Sequence, residues 1–197
     1  MSGFSSHTIG CTAVASGVVA LIGLIFIILF FTVGQPFGTL NDLCISLAAI
    51  LSGGLAIMLY RVHHAQSPYL SLLALIVALV GALVVAAGSV LVISGRAGWF
   101  LAGLYMTAGN ALIGLWLLAL NFSARLDNPW SGGLVVFGWV VGAIMAVGLI
   151  AIPGILRGID AQDSAPWFVN AGYVGSLGWM ILYPIWCILL GRTLLLQ

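Results

Sequence analysis

The sequence predicts an all-α integral membrane protein, a bundle of six transmembrane helices joined by short connectors. Three observations carry this reading. Of 197 residues, 63% are hydrophobic and 5% are charged, against roughly 25% charged in an ordinary soluble domain; so few charges cannot hydrate the surface of a water-soluble fold of this size. The apolar residues fall into six runs, at about 12–33, 40–60, 69–94, 99–122, 132–156 and 167–190, and each matches or exceeds the roughly 17–25 residues that cross a bilayer as helix. Between the runs stand "GQPFGT", "RVHHAQSP", "GRAG", "RLDNPWS" and "RGIDAQDSAP", where Pro, Gly, Asp, Asn and Ser concentrate as turns and caps require. No connector is long enough to fold by itself, so residues 1–197 are expected to form one transmembrane domain whose function sits inside the bilayer or at its faces.

Lipid provides no hydrophobic force between helices, so association relies on close packing of small residues and on polar side chains that bond across interfaces. Stripes of Gly, Ala, Ser, Thr and Asn should therefore face inward. The first run lacks a basic segment before it and exceeds the roughly 7–15 residues of a secretory apolar region. It is expected to remain as the first membrane helix. The second opens on "GTLNDLC", where Thr39 and Asp42 form a Thr-x-x-Asp pattern that suits a helix start and its dipole. On that reading Asp42 is a cap; the alternative, an intramembrane acid with Asn41 beside it, makes it a functional suspect. Asp42 aligns with Ser46, Ala49, Gly53 and Tyr60, and so should face the interior.

The third helix offers Ala74, Ala78, Gly81 and Gly88 for close contact, and the fifth offers Gly138 and Gly142 as a GxxxG pair. At about 100° per residue, the fourth places Trp99, Gly103, Thr107, Asn110, Gly114 and Asn121 within about 40° of one line, with Tyr105 and Trp116 on the far side. The sixth gathers Tyr173, Ser176, Met180, Tyr183, Pro184 and Cys187 on one broad face, with Trp179 and Trp186 opposite. Pro184 removes one backbone hydrogen bond and frees the Met180 carbonyl, which yields either a tolerated kink or a polar notch for a ligand. Trp130 and Trp167, beside Pro129 and Pro166, read as interfacial anchors.

Three two-helix repeats are one organisation the sequence leaves open. "ALIG", "ALVG" and "WVVG" end at Gly23, Gly81 and Gly142 in the odd helices, and the even helices finish on Arg61, Arg125 and Arg192. The fourth and sixth both open with "WF" and carry Tyr105 and Tyr173 six residues on. Composition this rich in Gly, Ala, Leu and Val produces such matches by itself. Six spans put both termini on one side with three arginines, Arg61, Arg125 and Arg192, against two, Arg96 and Arg157, on the other. The positive-inside rule then predicts a cell-membrane protein with cytoplasmic termini.

Many activities are excluded. A net charge of +1 offers no basic patch for nucleic acid. Cys11, Cys44 and Cys187 form no CxxC and read as small hydrophobes. His7, His63, His64 and Asp127 share one side, but adjacent loop histidines point apart, so no metal is expected. The chain has no lysine, hence no Schiff-base cofactor, and no GxSxG, GxGxxG or Walker loop. No cofactor and no catalytic set is expected. The sequon Asn121-Phe-Ser123 lies at a helix end on the cytoplasmic side and is not expected to carry glycan. The favoured function is an accessory or structural subunit, or a binder of a lipid-like molecule, with membrane lipids and other membrane subunits as partners. The alternative is a small transporter or channel. Either way the ligand-binding candidates are Asp42, Thr107, Asn110, Tyr173, Ser176 and Tyr183.

Overall fold

The computed structural model describes residues 4–64, 67–127 and 130–197, apart from the side chains of His63, Leu126 and Asp127. The loop and charge readings of His63 and Asp127, and the position of Pro129, lie outside the described residues. All regular structure among the described residues is helical. Six helices are long and apolar enough to cross a bilayer: α1 (Ser6–Val33), α2 (Phe37–Val62), α3 (Pro68–Ile93), α4 (Trp99–Arg125), α5 (Gly132–Leu156) and α6 (Trp167–Leu195). The expected all-α architecture of six spans is therefore the one the chain adopts.

The helices form an inner triangle and an outer ring. Across their most apolar stretches, 44%, 67% and 50% of α2, α4 and α6 are buried, against 22%, 28% and 39% of α1, α3 and α5. Each odd helix wedges between two even ones: α1 between α2 and α6, α3 between α2 and α4, α5 between α4 and α6. Antiparallel hairpins thus follow one another around a common axis. All three odd helices also terminate at a glycine of positive φ, Gly34 at 99°, Gly95 at 68° and Gly158 at 62°, a backbone region that side chains disfavour. The matching sequence motifs are not equivalent in space, however. Gly81 meets its own hairpin partner α4 and Gly23 meets α2, whereas Gly142 meets α4 of the preceding hairpin.

Backbone proximity explains where the glycines fall. A Cβ built on Gly81 would stand 2.6 Å from the Gly109 carbonyl oxygen, one on Gly142 would stand 2.8 Å from that of Gly114, and one on Gly10 3.0 Å from that of Gly191. Such contacts give lipid-embedded helices van der Waals attraction that larger residues would forfeit. Ala74, Ala78, Gly81 and Gly88 are all buried, as expected of the α3 stripe.

Three expectations change. First, α2 starts at Phe37 behind Pro36, and its first turn holds no acid. Asp42 sits in the second turn and is not the cap. Instead Gln35 Oε1 accepts the Thr39 backbone N–H at 3.4 Å. Second, α6 is not one regular helix: it turns at Tyr173 and widens into a π turn at Gly178–Leu182. There the Tyr183 N–H reaches the Gly178 carbonyl, and the extra residue in the turn seats Pro184. The other long irregularity is the 3₁₀ stretch Val147–Ala151 of α5, ahead of Pro153. Third, the tryptophans assigned to outer faces are core residues. Trp116, Trp179 and Trp186 are 3%, 1% and 0% exposed, because an inner helix of such a bundle has neighbours on nearly every side and a two-sided wheel misplaces its large residues. Trp130, expected as an interfacial anchor, is also a core residue at 5% exposed, whereas Trp167 is 80% exposed.

Candidate functional site

At the end of the bundle opposite the termini, a cavity of about 320 Å³ lies among the second half of α1, the first halves of α2, α4 and α6, and the last turn of α3. Five of the six candidate residues line it: Asp42, Thr107, Asn110, Tyr173 and Ser176. Asn41, which the sequence marked as the neighbour of Asp42, and Gln35, to which the local pattern did not point, complete the polar part of the wall. The rest is apolar, with Phe30, Phe31, Trp99, Met106, Trp179 and Met180 prominent. Of the fourth-helix stripe, Trp99, Gly103, Thr107 and Asn110 line the cavity; Thr107 and Asn110 are 2% and 3% exposed, whereas Trp99, expected to face inward, is 58% exposed at the helix start, and Gly114 and Asn121 pack on α5 instead. Asn110 lies about three turns below Trp99, roughly 16 Å along the axis, close to half of a hydrocarbon core of about 30 Å.

Hydrogen bonds position the wall. The Thr107 and Ser176 hydroxyls meet at 2.9 Å, tying α4 to α6. The Tyr173 hydroxyl donates to the Phe100 carbonyl at 3.0 Å. Gly103 makes room for it, because a Cβ there would stand 2.7 Å from that oxygen. Asp160, from the connector before α6, accepts the Gly98 N–H at 2.7 Å and the Leu101 N–H at 3.1 Å, capping α4 from a distant part of the chain. Below this end Phe100, Leu104, Ala151 and Val169 form a small separate core.

Three polar groups of the wall are left short of partners, the first being Asn41 Oδ1, buried without a hydrogen bond. Asn110 Oδ1 is buried without a hydrogen bond. Asp42, half-buried, has the Asn41 Nδ2 at 3.4 Å as its side-chain partner; its backbone carbonyl accepts from Ser89 Oγ at 3.1 Å. Among the described residues no arginine or histidine lines the cavity.

Tyr183 stands apart. It is fully buried beneath the cavity floor, and its hydroxyl donates to Ser52 Oγ at 2.8 Å. Ser52 in turn donates to the Ala48 carbonyl at 2.7 Å, with the Ser16 hydroxyl 3.1 Å away. This network joins α1, α2 and α6. Its ring stacks on Trp179 at 5.0 Å and on Trp186 at 6.1 Å, and Trp116 meets Trp186 edge-on at 6.5 Å. The aromatic column fills the centre of the inner triangle from the cavity floor toward the termini.

Among the described residues no group of three His, Cys, Asp or Glu side chains is placed to hold a metal ion. The cavity offers hydrogen bonding, the Asp42 carboxylate and apolar surface. Comparison with known protein families, with curated proteins and with solved structures returns no match to this chain.

Proposed function

We propose that this multi-pass membrane protein is a binding protein that takes an amphiphile from the bilayer into the cavity below Trp99. The observation that carries the reading is that the cavity lies where the packing of α1 on α6 has ended. α1 packs on α6 through Gly178–Leu195, with Gly10 against Gly191 and Gly17 against Pro184. Beyond that, Ile27, Phe30 and Phe31 of α1 and Tyr173, Ser176 and Met180 of α6 line the cavity, and a gap between these two helices is the way in from lipid that the reading requires. A volume of about 320 Å³ lies at the lower end of the roughly 300–1,000 Å³ of small-molecule sites. It accommodates a head group or a short chain, with the remainder of the ligand lying in lipid.

The test is binding in non-ionic detergent. Trp99 and Trp179 border the cavity, so a short brominated alkanol should quench their emission saturably. Ser176→Leu, which fills the cavity, and Asn110→Leu, which removes its deep polar group, should each weaken saturable quenching about tenfold or more. Quenching that rises linearly in all three proteins would defeat the reading.

Transport is the second reading. The irregular stretches of α5 and α6 favour it, because they meet where a Cβ on Gly175 would stand 2.6 Å from the Gly148 nitrogen, and broken helices mark binding sites in many transporters. Opening a path would require the Trp179–Tyr183–Trp186 column to move, and liposome flux of the same alkanol's charged analogues tests it. The accessory-subunit role rests on the apolar outer faces of the odd helices. Co-purification of a defined second membrane chain from native membrane supports that role, and a solitary particle counts against it.

A further inference from the structure

We infer that the ligand of this cavity is an organic ammonium ion bearing N–H donors, a class that deepens the amphiphile reading and rests on it. The cavity is electrostatically one-sided. Among the described residues Asp42 is the acid in its wall and no basic side chain lines it, and Arg96 and Arg157 at the same end of the bundle are exposed to the outside. A carboxylate within a membrane span is costly without a counter-charge. The Asn41 amide at 3.4 Å is a long contact from a neutral donor, which brings no compensating charge. The counter-charge is thus left for a ligand to provide.

Two independent features point the same way. The aromatic rings of Phe30, Phe31, Trp99, Tyr173 and Trp179 border the cavity, and aromatic faces attract cations, more strongly when water is excluded. Asn110, 3% exposed and in the same wall, keeps an acceptor oxygen with no donor. A ligand N–H satisfies that demand, whereas a carboxylate, a sulfate or a thioether does not. An anionic head group would meet the Asp42 charge with repulsion, and a neutral alcohol would leave it uncompensated.

The experiment compares three ligands of one chain length, decylammonium, decanol and decanoate, in non-ionic maltoside micelles, read by saturable change in the tryptophan emission of the full chain. Decylammonium should bind about tenfold more tightly than either analogue. Asp42→Asn should remove that preference, bringing decylammonium to within about twofold of decanol measured on the same variant, and Asp42→Glu should restore most of it. If Asp42→Asn does not yield a folded, monodisperse protein, the ranking of the three ligands on the unmodified chain decides alone. Equal binding of all three, or a preference that survives in Asp42→Asn, overturns the ammonium assignment and leaves the amphiphile cavity standing. Saturable binding by none of them overturns both.

Discussion

Asp160 holds the start of α4 from a connector 62 residues further along the chain. Its carboxylate satisfies two N–H groups that a helix start leaves without intrahelical partners. Asp160→Ala should therefore lower stability by about 1 kcal/mol, seen as a lower melting temperature in detergent, and Asp160→Asn should lose less. A Cβ on Gly98 would come within 2.6 Å of the same carboxylate, so Gly98→Val should reproduce the loss. Tyr183 presents the opposite case, a residue whose chemistry is used up in packing. Tyr183→Phe removes one interhelical hydrogen bond, for which about 0.6 kcal/mol is typical in membrane bundles. Thermal unfolding should register that small loss, with saturable cavity binding unchanged. A binding defect in a folded Tyr183→Phe protein would assign the hydroxyl to the ligand.

At the scale of the elements, glycine marks where helices touch and where they do not. Gly81 faces the α4 backbone, while nothing lies within 4 Å of a Cβ built on Gly54. Gly81→Leu should separate α3 from α4 and abolish a monodisperse elution peak, because overpacking against backbone has no side chain to yield. Gly54→Ala should be neutral or stabilising by up to about 1 kcal/mol, as expected when a helical glycine with free space gains a better helix former. The small-residue stripes of α3, α4 and α5 were legible because their period is local and strict. The faces of α6 were not. Its π turn at Gly178–Leu182 inserts a residue into the helical count, so a wheel of 3.6 residues per turn loses register across it. Cys187 and Trp186, assigned to opposite faces and both beyond that turn, are both fully buried, because this inner helix has neighbours on nearly every side.

For the whole molecule, the hairpin order places Ser94 and Ser164 at the cavity end and Ser67 and Thr193 at the terminal end. In a background without Cys11, Cys44 and Cys187, single cysteines at the first pair should react with a membrane-impermeant thiol reagent from one side. Those at the second pair should react from the other. With cytoplasmic termini, intact cells should expose Ser94→Cys and Ser164→Cys; labelling of Ser67→Cys instead would invert the orientation and place the cavity mouth toward the cytoplasm. Arg61 and Arg125 at the terminal end rest over the rings of Phe4 and Trp139, each at 5.2 Å, which lets cationic side chains lie near a membrane interface.

The amino-acid sequence by itself determined the solvent, the number of spans and the inward placement of Thr107, Asn110 and Asn121 on α4. The first two follow from lipid thickness and from the cost of bare backbone groups in hydrocarbon, and the third from a strict helical period; all act within one segment and are written in its composition. Tertiary structure alone decided that α2, α4 and α6 are central, that Asp42 lines a cavity and does not cap, and that Tyr183 and three tryptophans plug the axis below it. Those outcomes depend on which apolar helices meet and where α1 parts from α6. Since lipid wets every apolar face about equally, only shape and a few hydrogen bonds between distant residues choose among the arrangements.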